Sequence, residues 1–141
     1  MESKPYFSHF VLSVVFILIT TIMVKELDDK LFRQLIFDYS QGDNAPLLVK
    51  GNTIVEFYVT WCPHCQAMMP RYEKVSEMFP DVLCTRVEME KYPELAKMFK
   101  VDSFPTFIFI SPDGKMEKWV GELPVEELAN LVTKAFGIQP K

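Results

Sequence analysis

Trp61-Cys62-Pro63-His64-Cys65 is the segment of this 141-residue chain best equipped for covalent chemistry. Two thiols three residues apart on a first helical turn share one face and can close a small disulfide ring. Cys62, at the front, meets the positive end of the helix, where an anion is stabilised; the thiolate, not the thiol, is the nucleophile. Cys65 lies one turn deeper and suits a shielded, resolving thiol. His64 sits between them, placed to bias the pair. Whatever stabilises the Cys62 thiolate stabilises the reduced form and makes the disulfide a stronger oxidant. Trp61 reads as a shield for the pair. A lone Cys-x-x-Cys is also half of a zinc site, but no second pair and no His-x₃₋₅-His follow, and His9 lies in an apolar run. No metal is therefore expected. The third cysteine, Cys84, reads as a small core residue.

Composition narrows the class. Three cysteines are too few for a disulfide scaffold. A net charge of −4 without a basic run argues against nucleic acid as a partner. With 49% apolar and 24% charged residues the chain is a folding one. Its apolar content is uneven, however. Residues 7–24 hold 13 apolar residues in 18 and no Asp, Glu, Lys or Arg. As a helix this run would reach roughly 27 Å, near the ~30 Å of a hydrocarbon core, and it has no polar face. No Ala-x-Ala cleavage pattern follows it. Residues 1–24 are thus expected to be a membrane anchor or uncleaved signal, and residues 25–141 the working domain. Lys25, Lys30 and Arg33 after the run outnumber Lys4 before it, but long C-terminal domains cross largely regardless of such counts. The domain is expected on the extracytoplasmic side, periplasmic or lumenal.

The cysteine pair needs a strand to deliver it and a helix to carry it. Thr53 to Val59 is short, β-branched and aromatic, and reads as a strand buried on both faces. Cys62 to Phe79 reads as a helix with Pro63 in its first turn and a kink at Pro70. Residues 82–88 form a second strand and 92–99 a short helix. Strands at 106–110 and 116–120 flank Ser111-Pro112-Asp113-Gly114-Lys115, a hairpin turn. Residues 28–39 and 124–136 are amphipathic helices, the latter between Pro124 and Gly137. This order implies an α/β domain with a mixed sheet covered on both faces.

With those features in place, residues 45–137 resemble the thioredoxin superfamily. Glu56, six before Cys62, matches the family's buried acid; Pro70 matches the kink proline; Phe104-Pro105-Thr106 matches the cis-proline loop. Arg86 falls where relatives place a lysine near that acid, and Gly121 matches a late glycine. The resemblance implies the thioredoxin fold, here preceded by one transmembrane helix. It also implies that Glu56 moves a proton to or from Cys65, and that Phe104, Pro105 and Thr106 hold the substrate backbone beside Trp61 and Pro63. Glu56 could otherwise serve only as a structural partner of Arg86. The Pro63-His64 dipeptide is like that of periplasmic disulfide oxidases of the DsbA type, although 117 residues leave no room for their helical insertion. Phe104 also stands where those oxidases usually have a small β-branched residue. The expected function is protein thiol–disulfide exchange, leaning to oxidation, through the Cys62–Cys65 disulfide without organic cofactor. Its expected partners are substrate proteins with thiols or disulfides and a recycling redox protein. The alternatives are a protein-disulfide reductase and a binding or chaperone module without redox turnover.

Overall fold

The computed structural model describes residues 24–141. The expected membrane anchor lies outside the described residues except for its last one, Val24. Among the described residues no helix is long and apolar enough to cross a membrane. Val24 is the first residue of a strand, β1 (Val24–Glu26), and is buried. There follow α1 (Asp29–Leu35), a 3₁₀ turn (Tyr39–Gln41), β2 (Thr53–Tyr58), α2 (Pro63–Met78), β3 (Leu83–Glu88), α3 (Pro93–Met98), β4 (Thr106–Ile110), β5 (Met116–Val120) and α4 (Val125–Phe136).

The five strands form one mixed sheet in the order β1-β3-β2-β4-β5. β3 runs parallel to both β1 and β2, while β4 is antiparallel to β2 and β5. Central β2 is buried along its whole length, as its unbroken Thr-Ile-Val-Glu-Phe-Tyr run demands of a strand covered on both faces. Alternate residues feed two cores. Ile54, Cys84, Phe107 and Phe109 pack with Met68, Tyr72 and Val75 of α2 and Leu128 and Val132 of α4. Val55, Phe57, Val87 and Ile108 pack on the other face with Phe32 of α1 and Leu95 of α3. Cys84 is 1% exposed within the first of these cores, the place expected of a small apolar residue.

Two elements differ from expectation. β1 was hidden because Val24 closes an apolar run, whereas Lys25 and Glu26 look like its polar flank; the three residues pair with Cys84, Thr85 and Arg86. The first helix, expected to reach residue 39, stops at Leu35. The Ile36 carbonyl instead accepts from Leu48 N–H at 2.9 Å, and Asp38 accepts from Ser40 N–H to start the 3₁₀ turn. Short polar side chains compete in this way with helical bonding.

Candidate active site

β2 ends at Tyr58, and Val59 to Trp61 carry the chain into α2, whose N-cap is Cys62. Pro63 opens the helix, where its missing N–H removes no helical bond. The first helical bond runs from Gln66 N–H to the Cys62 carbonyl at 3.0 Å, and the Gln66 side chain donates to the Thr60 carbonyl at 3.0 Å. The junction that holds both cysteines is therefore tied at each end. Cys62 and Cys65 are free thiols, buried against Tyr58 and Val59 with Met89 and Phe104 beside them. Burial pushes the Cys65 thiol up to about 12, helped by its thiol contact with Cys62 and offset in part by the Val59 backbone. Cys65 thus stays protonated at neutral pH until a base takes its proton.

The loop before β4 closes the site from another side. The Phe104-Pro105 peptide is cis. Thr106 anchors this loop by donating to the Ser103 carbonyl at 2.8 Å, and Gly121 N–H donates to the Pro105 carbonyl at 2.8 Å. Gly121 adopts φ +110°, a left-handed conformation that disfavours other residues at this position. Phe104 meets Trp61 edge to face at 5.4 Å between ring centres. Trp61 stays 60% exposed, with its indole N–H bonded to Glu90 at 2.5 Å. Cys62, Trp61 and the cis-proline loop are thereby gathered in one place, and the exposed indole is better described as a rim than as a cover.

His64 projects into solvent. Its Nδ1 lies 3.0 Å from the Glu122 carboxylate, which Arg71 also reaches at 3.1 Å. The His64 contact first, and Arg71 next, hold the Glu122 carboxyl below its usual range. Glu122 and Arg71 were missed in the sequence. The signal for Glu122 lay in the hairpin: pairing Thr106 with Val120 brings the residues after Val120 to the cis-proline loop. Met68, next to the pair in sequence, belongs to the core, and its sulfur accepts from Leu123 N–H at 3.2 Å. Met69 is exposed.

Glu56 occupies the interior side. It is wholly buried, and neither carboxylate oxygen has a hydrogen-bond partner among the described residues. Burial raises it from an ordinary 4.5 to about 8, against the pull of Arg86 and with a small push from Glu26. A direct Glu56–Arg86 ion pair, one of the two readings of Glu56, does not form. Arg86 is the register neighbour of Glu56 across β2 and β3, but its guanidinium goes to Glu26 at 3.5 Å and Glu73 at 3.2 Å. Burial without a paired charge is what holds a carboxyl neutral. Among the described residues no group of three or more His, Cys, Asp or Glu side chains is arranged to hold a metal ion.

Two neighbouring thiols, a neutral interior acid and a cis-proline loop are a set that suits reversible disulfide exchange. The chain belongs to the thioredoxin family: a family model described as Thioredoxin matches residues 26–134. Thioredoxin Y2 of Arabidopsis thaliana chloroplasts is 34% identical over 104 residues, covering 72% of this chain and 58% of the relative. The thioredoxin of Borreliella burgdorferi is 28% identical over 116 residues, covering 82% of this chain and 99% of the relative. A protein disulfide-isomerase of Schizosaccharomyces pombe is 29% identical over 103 residues, 70% of this chain and 29% of the relative. The chain thus spans a little over half of its plant relative and less than a third of the isomerase. Among solved structures, thioredoxin NaTrxh from Nicotiana alata superposes with a TM-score of 0.65 at 21% identity, covering 81% of this chain and 93% of that one. At that identity the likeness speaks for the fold.

Proposed function

We propose that this protein exchanges disulfides with substrate proteins through Cys62 and Cys65. The observation that carries the reading is the placement of both thiols at the first turn of α2, within one cluster with Phe104 of the cis-proline loop. In the reducing direction the Cys62 thiolate attacks a substrate disulfide; a Cys62–substrate bond forms, the substrate S–S bond breaks, and the departing sulfur takes up a proton. The carboxylate form of Glu56, which a value of about 8 keeps within reach of neutral pH, then accepts the Cys65 proton, and Cys65 attacks the Cys62 sulfur. The Cys62–Cys65 disulfide forms, the Cys62–substrate bond breaks, the second substrate sulfur leaves as a thiolate and takes up a proton, and two electrons have passed to the substrate. Oxidation of a dithiol substrate runs the same steps backwards. Trp61, Pro63 and Phe104 face the path by which the substrate backbone approaches, over Pro105 and Thr106, which are buried beneath it.

We assign the direction to oxidation on the Pro63-His64 dipeptide, the compartment to the extracytoplasmic side, and the attachment to an anchor that ends before Val24, the first residue of β1, with a separate redox protein recycling the pair. A reductase is the second reading. The observation that favours it is Glu122, whose anionic carboxylate at 3.0 Å from His64 offsets whatever positive charge the imidazole would bring to the pair.

Trapping tests the exchange itself. Cys65→Ser should accumulate mixed disulfides with substrate proteins that dithiothreitol releases, and Cys62→Ser should form none; equal activity of Cys62→Ser and wild type would remove the proposal. Equilibration with glutathione tests direction. A potential near about −120 mV supports oxidation, whereas one near about −270 mV establishes the reductase. Protease accessibility of the domain in intact cells checks the compartment.

A further inference from the structure

Glu26, Arg86 and Glu56 stand side by side on β1, β3 and β2, since Arg86 is the register partner of both carboxylates. One cation is thus flanked by two acids, and it engages only one of them. Arg86 Nε lies 3.5 Å from Glu26, and its Nη2 lies 3.2 Å from Glu73 of α2. Both acids are fixed in turn: Glu26 accepts from the Tyr58 hydroxyl at 2.6 Å, and Glu73 accepts from Val24 N–H at 3.4 Å. The Tyr58 ring also lies under the guanidinium, 5.7 Å from its carbon. A planar donor held at two edges and one face has little freedom to turn.

We propose that Glu26 and Glu73 are positioning residues that hold the Arg86 guanidinium off Glu56, and so keep the Glu56 carboxyl free to exchange a proton with Cys65. The proposal rests on the proton-carrying reading of Glu56 given above. An arginine that closed on Glu56 would lower its basicity, leaving a carboxylate too weak a base to hold, at neutral pH, the proton that leaves Cys65 when the Cys62–Cys65 bond forms. The other groups that act on this carboxyl, or feel it, are Cys65 and Tyr72 from α2; β4 brings only apolar Phe107 to the register position. Glu26 is therefore the group through which the surface reaches the buried acid, being about half exposed at one end of the row.

The test is a carboxyl ¹³C titration of Glu56 in the reduced full chain, assigned by its loss in Glu56→Gln. Glu26→Gln should move the Glu56 midpoint down by about one pH unit, as a nearby cation does once it is released toward a carboxylate. Arg86→Gln should move it up, and Arg86→Lys serves if that variant does not fold. The decisive arm is the double variant. If Glu26 acts by holding Arg86, Glu26→Gln has little effect once Arg86 is gone. A full downward shift in that background would mean that Glu26 acts through its own charge alone, and would overturn the proposal, as would an unmoved midpoint in the single variant. The pH profile of Cys65-dependent release from a mixed disulfide is read in parallel. A shifted Glu56 with an unshifted rate profile leaves the positioning role standing and removes Glu56 as the proton carrier.

Discussion

Two acids flank the cysteine pair in opposite settings. On the solvent side Glu122 bridges His64 and Arg71, and those contacts hold its carboxyl below the usual range. On the interior side Glu56 is fully buried, its oxygens are unbonded among the described residues, and burial raises it to about 8. The same functional group becomes a fixed anion in one place and a neutral acid in the other. The difference lies less in how many cations are near than in where they point. Arg71 reaches Glu122, whereas Arg86, nearer the buried acid in the fold, is engaged by Glu26 and Glu73. Charge on the solvent side can bias the Cys62–Cys65 equilibrium; a proton store on the interior side can serve the step at Cys65.

The largest expected effect comes from breaking the interior side. With Glu56 at about 8 when folded and 4.5 when unfolded, the folded chain holds a proton that the unfolded chain has lost between those values. Stability contributed by the protonated carboxyl is complete below pH 4.5 and falls as pH rises through about 8. The decline amounts to up to about 5 kcal/mol across that window, at ~1.36 kcal/mol for each pH unit crossed. Glu56→Gln should flatten this slope, leaving the variant more stable than wild type above pH 8 and similar to it near pH 4. Urea unfolding at a series of pH values reads both limbs. The same variant should slow Cys65-dependent release of a mixed disulfide by about 10²-fold or more, the range of a lost general base. More stability with less activity is the expected signature of an acid kept buried for chemistry.

A second substitution separates burial from lack of partners. Tyr72 is as buried as Glu56 but fully bonded: its hydroxyl accepts from Thr85 N–H at 3.0 Å and lies 2.9 Å from the Thr85 carbonyl. Tyr72→Phe removes the hydroxyl and strips those groups of that partner, which should destabilise the fold by about 1–3 kcal/mol. The loss should be nearly the same at pH 5 and pH 8, in contrast to Glu56→Gln. A urea midpoint that falls equally at both pH values checks it, and a pH-dependent loss would mean that Tyr72 shares the titration of Glu56.

The divide between these regions was only half legible in the sequence. β2 and α2 announced themselves through a short β-branched and aromatic run and through Pro63, so Glu56 and the cysteines could be placed from residue order alone. The hairpin turn at Ser111 to Lys115 placed β4 and β5, with the cis-proline loop just before them. Other features depend on side-chain direction across long separations, which spacing does not encode. Nothing local tells that Arg86 turns toward Glu26 and Glu73 instead of Glu56. β1, which carries Glu26, is only three residues long and begins on the last residue of a run that reads as membrane-spanning. Glu122 was recoverable in principle from the β4–β5 register, whereas Arg71 becomes visible only when α2 is seen beside the loop after β5. Strand pairing can thus be read ahead of the structure, while the choice a long cation makes among several acids depends on tertiary packing.

The smallest expected effect lies on the solvent side, and its dependence on salt distinguishes it from the interior. His64 is about two-thirds exposed, so water and ions compete for its contact with Glu122. Because the Glu122 carboxyl is held low, what the contact contributes is present above pH 4.5 and disappears as pH falls through that lowered value. Glu122→Gln should therefore leave the urea midpoint at neutral pH close to wild type. It should nevertheless raise the potential of the Cys62–Cys65 pair modestly, because removing an anion beside the pair favours the reduced, thiolate-bearing form. Raising ionic strength from 0.1 M to 1 M shortens the screening length from about 10 Å to about 3 Å, and the potential difference between Glu122→Gln and wild type should shrink accordingly. The pH slope removed by Glu56→Gln should hardly respond, since its cause is burial, which salt does not relieve. Glutathione equilibration at the two salt concentrations measures the first quantity, and urea unfolding at the same two concentrations measures the second. Equal salt sensitivity would mean that water reaches Glu56 and that the interior side is not dry.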